Sequence, residues 1–175
     1  MVLLRVVALI AAAPAGLLGC GWQPLYADPE TGPSSEELRT IKVNPIPERI
    51  GQRLELALRN SLNPSGEPTP PRYVLSTTLI TVLGNLGIQS QGLATLGQID
   101  AYATYTLVDL QNHATLLTNT VHVVNSFDLN PNEYSTIVGE DDARNRTVAE
   151  LDQEIVTRLT LFMQRRIAEK SPKPG

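Results

Sequence analysis

The clearest indication of the fold comes from a stretch of two segments, QIDAYATYTLV (residues 98–108) and TLLTNTVHVVNSF (residues 115–127). Its first segment alternates between two sets of side chains, which are Ile99, Ala101, Ala103, Tyr105 and Leu107 on one face and Asp100, Tyr102, Thr104 and Thr106 on the other. This alternation is typical of a β-strand with one buried face. The second segment is rich in Thr and Val, and residues 109–114 between them contain turn-forming Asp and Asn. The two segments are therefore predicted to form an antiparallel hairpin.

Two further strands are predicted before this hairpin. Residues 73–83 (YVLSTTLITVL) are rich in β-branched side chains, which favour extended structure. Residues 39–46 (RTIKVNPI) contain Ile41 and Val43 at alternate positions. Pro45 and Pro47 end this first strand, because proline has no N–H to donate to a sheet ladder.

A helix is predicted over residues 48–62, because the apolar positions recur on one face at 100° per residue. That face carries Ile50, Leu54, Ala57, Leu58 and Ser61. Pro64 ends the helix, and residues 63–71 (NPSGEPTPP) form a loop.

A long helix is predicted from residue 134 to residue 167. Asn130 is placed as its cap, with Pro131 at the first helical position and Glu133 three residues after the cap. Its apolar stripe consists of Tyr134, Ile137, Val138, Val148, Leu151, Ile155, Leu159, Phe162 and Met163. Gly139 is a position at which the helix can bend or split.

These elements follow the order strand, helix, three strands, helix. Each helix has one apolar face, which it cannot bury alone. The fold class predicted is therefore α+β, with two helices packed on one face of a four-stranded, mostly antiparallel sheet. Residues 38–169 form this single domain, and residues 170–175 form a disordered tail.

The first 20 residues, MVLLRVVALIAAAPAGLLGC, have the pattern of a secretion signal. Arg5 precedes an uncharged, mostly apolar run from residue 6 to residue 19, which is shorter than the roughly 20 residues that span a bilayer. The run ends in Leu17-Leu18-Gly19-Cys20, which resembles the lipobox of bacterial lipoproteins. This resemblance implies cleavage before Cys20 and lipid attachment to its thiol. The alternatives are a plain signal peptide or an uncleaved anchor with an incidental cysteine.

Lipidation implies three acyl chains on the mature N-terminus, enough for durable membrane anchoring. Residue 21 is Gly rather than Asp, and the enteric rule that associates Asp at this position with inner-membrane retention thus favours the outer membrane. Residues 20–37 are predicted to be a lipidated N-terminus followed by a flexible spacer, because ADPETGPSSEE is rich in Pro, Gly, Ser and acidic residues.

Composition argues against several classes of function. The net charge is −4, from 14 basic and 18 acidic residues, so phosphate-driven nucleic-acid binding is not expected. One cysteine and two histidines predict neither a disulfide nor a zinc site. The acidic run Glu140-Asp141-Asp142 lacks calcium-loop spacing, and the sequence has none of the common catalytic motifs. A non-enzymatic protein without metal or cofactor is predicted.

The middle of the chain is uncharged. Residues 73–99 contain no Asp, Glu, Lys or Arg, and no Lys or Arg occurs between Arg72 and Arg144. Residues 84–97 (GNLGIQSQGLATLG) are interpreted as a neutral, glycine-rich connection between strands, suited to contact another protein or lipid. The alternative is a mobile hairpin with neutral polar residues.

Three segments together resemble the lipopolysaccharide-assembly lipoproteins of the LptE family, in their alphaproteobacterial form. The segments are Cys20-Gly21-Trp22-Gln23-Pro24-Leu25-Tyr26, Ala101-Tyr102-Ala103-Thr104-Tyr105-Thr106-Leu107-Val108-Asp109, and Asn125-Ser126-Phe127 followed by Tyr134 and Glu140-Asp141-Asp142-Ala143-Arg144. The three segments occur in the same order as in the family and are spread over nearly the whole mature chain. The resemblance implies two helices against a four-stranded sheet, in agreement with the prediction from the residues.

The resemblance also implies an outer-membrane lipoprotein that plugs the LptD β-barrel, assists its assembly and meets lipopolysaccharide in transit. The residues expected to contact the barrel are Trp22, Leu25, Tyr26, Gly84, Ile88, Leu93 and Leu96. Relatives carry basic residues near the start of the third strand, where this chain has Thr95-Leu96-Gly97-Gln98. Lipopolysaccharide-binding residues are therefore not assigned. The alternative function is a free-standing periplasmic lipoprotein that binds or carries a small lipid.

Overall fold

The computed structural model describes residues 33–88 and 94–170. The elements in chain order are α1 (Pro33–Leu38), β1 (Ile41–Val43), α2 (Arg49–Leu62), β2 (Tyr73–Ile88), β3 (Ala94–Asp109), β4 (Ala114–Asp128) and α3 (Glu133–Lys170). The predicted α+β class is confirmed, with helices packed against a four-stranded mixed sheet. The short helix α1 is an addition to the two helices that were predicted.

The sheet has the strand order β1-β2-β3-β4. Strand β1 runs parallel to the start of β2, whereas β2 with β3 and β3 with β4 are antiparallel. The predicted hairpin of β3 and β4 is confirmed. Its turn is held by side chains, since Asp109 Oδ1 accepts from the N–H of Gln111 at 2.9 Å and Asn112 Oδ1 accepts from that of Ala114 at 3.1 Å.

Strands β2 and β3 are longer than predicted. The segment interpreted as a connection, residues 84–97, is mostly strand, because the ladder continues through Gly84 opposite Gln98 and Leu86 opposite Leu96. Ile88 pairs with Ala94, which leaves only residues 89–93 between the strands. The interpretation as a loop was wrong because backbone pairing with a neighbouring strand extends glycine-rich segments that have weak strand propensity of their own.

The main core lies between the inner face of the sheet and helices α2 and α3. Its fully buried members include Ile41, Leu54, Leu58, Leu75, Ala101, Ala103, Tyr105, Leu107, Leu151, Ile155 and Leu159. The apolar set predicted for residues 98–108 is therefore the buried set. Helix α2 also follows the prediction, except that Ser61 is exposed and its hydroxyl donates to Asp152 of α3 at 2.7 Å.

A second, smaller core cluster lies near the end of β4. Ile99, Phe127 and Ala143 are buried together there. The Phe127 ring lies over Gly97, its partner in the β3–β4 ladder, so closely that a Cβ on Gly97 would be 2.3 Å from Phe127 Cζ. Glycine at position 97 therefore provides the space that the ring occupies.

Helix α3 is continuous through Gly139. Its start differs from the prediction, since Asn132 rather than Asn130 accepts from a helical N–H, that of Tyr134, at 3.1 Å. Asn130 instead accepts from the N–H of Asn132 at 3.0 Å. Of the predicted stripe, Val148, Leu151, Ile155, Leu159 and Met163 are buried and Phe162 is partly buried, whereas Tyr134, Ile137 and Val138 are exposed.

Residues 33–38, of which 33–37 were assigned to the flexible spacer, form helix α1. Glu37 attaches this helix to the sheet, because its carboxylate accepts from Arg72 at 2.8 Å and from the Tyr73 hydroxyl at 2.9 Å. Leu38 is buried in the main core. The burial of Leu38 and the hydrogen bonds of Glu37 therefore order a segment whose composition predicted a flexible spacer. Strand β1 is shorter than predicted, spanning Ile41–Val43.

Candidate partner interface

The outer face of the sheet, which points away from the core, carries exposed apolar side chains near its centre. They are Ile80 (59% exposed), Val82 (52%), Tyr102 (40%) and Val124 (46%). The ladders place Ile80, Tyr102 and His122 in one row and Val82, Asp100 and Val124 in the next. The apolar side chains are therefore neighbours on three strands. Together they form one surface, here called the apolar patch, which consists of Ile80, Val82, Tyr102 and Val124.

The polar side chains of His122 and Asp100 border the apolar patch. The Tyr102 and His122 rings are stacked, with centroids 4.2 Å apart and an interplanar angle of 4°. Asp100 Oδ1 lies 3.3 Å from His122 Nε2, and Asp100 Oδ2 accepts from Gln98 Nε2 at 2.6 Å. The Asp100 carboxylate therefore bonds to neighbours within the sheet. Its contact with His122 orients the His122 ring, which stacks on Tyr102.

Hydroxyl groups line the rest of the outer face towards the turn between β3 and β4. The residues are Ser76, Thr78, Thr104, Thr106, Thr118 and Thr120. Two cross-strand pairs bond to each other, Thr104 with Thr120 at 2.9 Å and Thr106 with Thr118 at 3.3 Å. The outer face therefore combines apolar and hydroxyl groups around the Asp100 carboxylate.

The residues predicted to contact a partner are placed as follows. Gly84 lies on β2 opposite Gln98, and Ile88 is the last residue of β2. Leu96 is exposed and lies one ladder row beyond Gly97, between Leu86 and Asp128. The strand alternation places Gly84 and Leu96 on the same face as the apolar patch. Cys20, Trp22, Leu25, Tyr26 and Leu93 lie outside the described residues.

The apolar patch itself was not found from the sequence. Ile80 and Val82 occur at the alternate positions of β2 that share a face with Ser76 and Thr78. The sequence did contain a signal, because the run LITVL (residues 79–83) has apolar side chains on both faces of the strand. A strand with one face in solvent needs apolar side chains on its buried face alone. A strand that is apolar on both faces indicates contacts on both faces.

A second group of exposed apolar side chains lies at the end of the molecule where α3 begins. Tyr134, Ile137 and Val138 are exposed on the first turns of α3. Next to them, a cavity of about 230 Å³ is lined by Arg49, Ile50, Arg53, Ile137, Asp141 and Arg144.

The charges of that cavity are largely paired. Arg53 donates to Asp141 at 2.8 Å, and this hydrogen bond holds the pKa of Asp141 below its usual value. Arg144 forms an ion pair with Glu140, four residues before it. Arg53 and Arg144, two of the three arginines that line the cavity, are therefore engaged with carboxylates.

Residues 33–88 and 94–170 contain neither a cluster of metal ligands nor a membrane-spanning helix. No group of His, Cys, Asp and Glu there is arranged to hold a metal ion. None of the helices in that part of the chain combines the length and apolar character needed to cross a bilayer.

No protein-family model matches the sequence, and no curated protein matches it. Solved structures with a similar fold do exist. A protein of Caulobacter crescentus CB15, assigned provisionally as a lipoprotein, has a TM-score of 0.62 and 19% identity, covering 75% of this chain and 96% of its own. Lipoprotein B of Nitrosomonas europaea, described as uncharacterized, has a TM-score of 0.57 and 13% identity, covering 77% of this chain and 90% of its own.

A minor lipoprotein of Acinetobacter baumannii is also similar, with a TM-score of 0.56 and 16% identity over 69% of this chain and 90% of its own. At these identities the likeness shows a shared fold. The chain therefore has a fold that occurs in bacterial lipoproteins, and it spans nearly the whole length of these three structures.

Proposed function

We propose that the chain is a lipid-anchored lipoprotein of the outer membrane, facing the periplasm, that acts as plug and assembly subunit of an LptD-type β-barrel which delivers lipopolysaccharide to the cell surface. The observation that carries the proposal is the exposed apolar patch on an otherwise hydroxyl-rich sheet face. Contiguous exposed apolar surface marks interaction sites in folded proteins. The lipobox at Cys20 and the fold shared with bacterial lipoproteins support the anchor.

The chemistry of the patch suits a large protein partner. The ladder rows that contain Ile80, Val82 and Val124 include one carboxylate, Asp100, which accepts from Gln98, and no Lys or Arg. The hydroxyl groups beyond them are able to donate and accept towards polar side chains of a partner. A surface of this kind loses little on desolvation, because few charges have to be stripped of water.

The test is co-purification from outer membranes in gentle detergent with a tagged chain. The wild type is expected to bring down a large β-barrel protein in constant ratio. Val82→Asp places a charge in the middle of the patch and is expected to reduce the recovered barrel about tenfold or more. The control is Leu56→Asp, since Leu56 is equally exposed but lies on α2.

Equal recovery with Val82→Asp and Leu56→Asp would remove the patch from the interface. A wild-type chain that is recovered alone and binds a small lipid without a partner would replace the proposal with that of a free-standing lipid-binding lipoprotein.

A further inference from the structure

The outer edge of β2 remains open for most of its length. Strand β1 pairs with β2 only from Tyr73 to Leu75, although β2 continues to Ile88. Among the described residues, β3 is the one strand that pairs with the remainder of β2. A strand edge of this length is a template for a further strand.

The ladder shows which backbone groups point to the open edge. Leu75 C=O accepts from the N–H of Asn44 at 2.9 Å, so residue 75 directs its backbone groups towards the β1 side. Because backbone direction alternates along a strand, the same holds for Leu79, Thr81, Leu83 and Asn85. No described side chain or backbone group bonds to their N–H or C=O at that edge.

The opposite edge of the sheet is protected. Arg146 Nη2 donates to Ser126 C=O at 3.0 Å, and Arg158 Nη1 donates to Thr120 C=O at 3.2 Å. Two arginines of α3 therefore occupy carbonyl groups along β4. Within the described residues, the β2 edge lacks three devices that commonly protect a strand edge, namely a charge, a proline and a bulge in its ladder with β3.

We propose that the β2 edge, residues 79–85, binds an extended, uncharged strand of the barrel partner, which continues the sheet beyond the end of β1. The inference rests on the proposed function for the identity of the partner. Strand β1 already occupies the same edge at residues 73–75, so the position accommodates a strand. The added strand satisfies the outward backbone groups, as in strand-addition complexes.

The side chains beside the edge determine the character of that strand. Leu83 is exposed on the inner side of β2, and Ile80 and Val82 are exposed on the outer side. Neighbouring side chains of an added strand would pack against both sets. A charged strand would be desolvated beside a surface that offers no opposite charge between residues 73 and 99, so neutral side chains are required.

The experiment uses proline at an outward-pointing position. Thr81→Pro removes an N–H that points to the open edge, so the β2–β3 ladder keeps its bonds. Thr81→Val retains the N–H and has a similar side-chain shape. Thr81→Pro is expected to lower barrel recovery about tenfold or more, with Thr81→Val at the wild-type level. Thermal melting of both purified variants verifies that they are folded.

A second measurement follows amide hydrogen exchange in the wild-type chain, free and in the barrel complex. The amides of residues 79, 81, 83 and 85 are expected to exchange fast in the free chain and at least about tenfold more slowly in the complex. Unchanged exchange, or equal recovery with Thr81→Pro and Thr81→Val, overturns the strand addition while the barrel interaction stands.

Two other outcomes also overturn the inference. If the wild type recovers no barrel at all, the proposed function and the strand addition both fail. If the same four amides become protected in the partner-free chain as its concentration rises, with formation of a dimer, the occupant of the edge is a second copy of the chain.

Discussion

Gly97→Ala is a sharp test of the packing at the end of β3. The Cβ that this change adds would lie 2.3 Å from Phe127 Cζ and 2.7 Å from both Cε atoms of the ring. These distances are far inside van der Waals contact, so the ring has to move. Phe127 is only 6% exposed and is packed with Ile99 and Ala143, which means that its movement disturbs the smaller core cluster.

Overpacking of this kind costs about 1–3 kcal/mol. Replacing glycine by alanine in a strand returns about 0.5–1 kcal/mol, because the unfolded chain loses conformational freedom. The net loss of unfolding free energy is therefore expected to be up to about 2.5 kcal/mol. For a domain of this size, that corresponds to a fall in Tm of roughly 2–4 °C per kcal/mol.

Gly84→Ala is the matched control. Gly84 lies on the neighbouring strand β2, and a Cβ there would meet nothing within 4 Å. It is expected to be neutral or stabilising by up to about 1 kcal/mol. Urea and thermal unfolding, followed by circular dichroism, measure both variants.

The double variant Gly97→Ala with Phe127→Leu completes the test. Removing the aromatic ring gives the new methyl group room, so the two changes are expected to be less destabilising together than the sum of the single effects, by about 0.5–3 kcal/mol. Two results would contradict the close packing of the Phe127 ring on Gly97. One is an equal Tm for Gly97→Ala and Gly84→Ala, and the other is additivity of the changes at positions 97 and 127.

Two further predictions concern a buried acid and the lipid anchor. Burial raises the pKa of Asp152, an effect opposed by the hydrogen bond from Ser61, so ionisation of this carboxyl destabilises the folded state as pH rises through its folded pKa. Asp152→Asn is therefore expected to have a higher Tm than the wild type at pH 7 and to lose that advantage at pH 3, below the unfolded-state pKa of 3.8, where Asp152 is protonated in both states. Thermal melts that show the same difference at pH 7 and pH 3 would exclude this. Cys20→Ala is expected to leave the domain folded but the signal uncleaved, and a normally cleaved, membrane-bound variant, measured by mass spectrometry and fractionation, would count against lipidation.

The sequence was a good guide wherever a pattern was local. The alternation from Ile99 to Leu107 identified the buried face of β3, and the turn at residues 109–114 was placed correctly. Helix α2 was predicted to within one residue. Side-chain periodicity fixes which face of an element is apolar, and a strongly amphipathic element has one stable way to bury it.

The start of α3 was harder to predict. Asn130 and Asn132 are both good caps, and the choice between them depends on the bonds that Thr136 makes with the backbone of Asn130, at 2.9 Å and 3.1 Å. Tyr134 and Ile137 continue the helical apolar periodicity but are exposed. Their periodicity was real, but the sheet and the other described helices leave them exposed.

The fold class, the hairpin and the neutrality of β2 and early β3 could be read from the residues, because composition and periodicity are properties of the chain alone. Three features came from the folded structure: the apolar patch on the outer sheet face, the Phe127 ring over Gly97, and the continuation of β2 past β1 with an outer edge that no described strand occupies. These features depend on where neighbouring strands end and how far the helices extend over the sheet. Such lengths are set by pairing between distant segments, which local sequence does not encode.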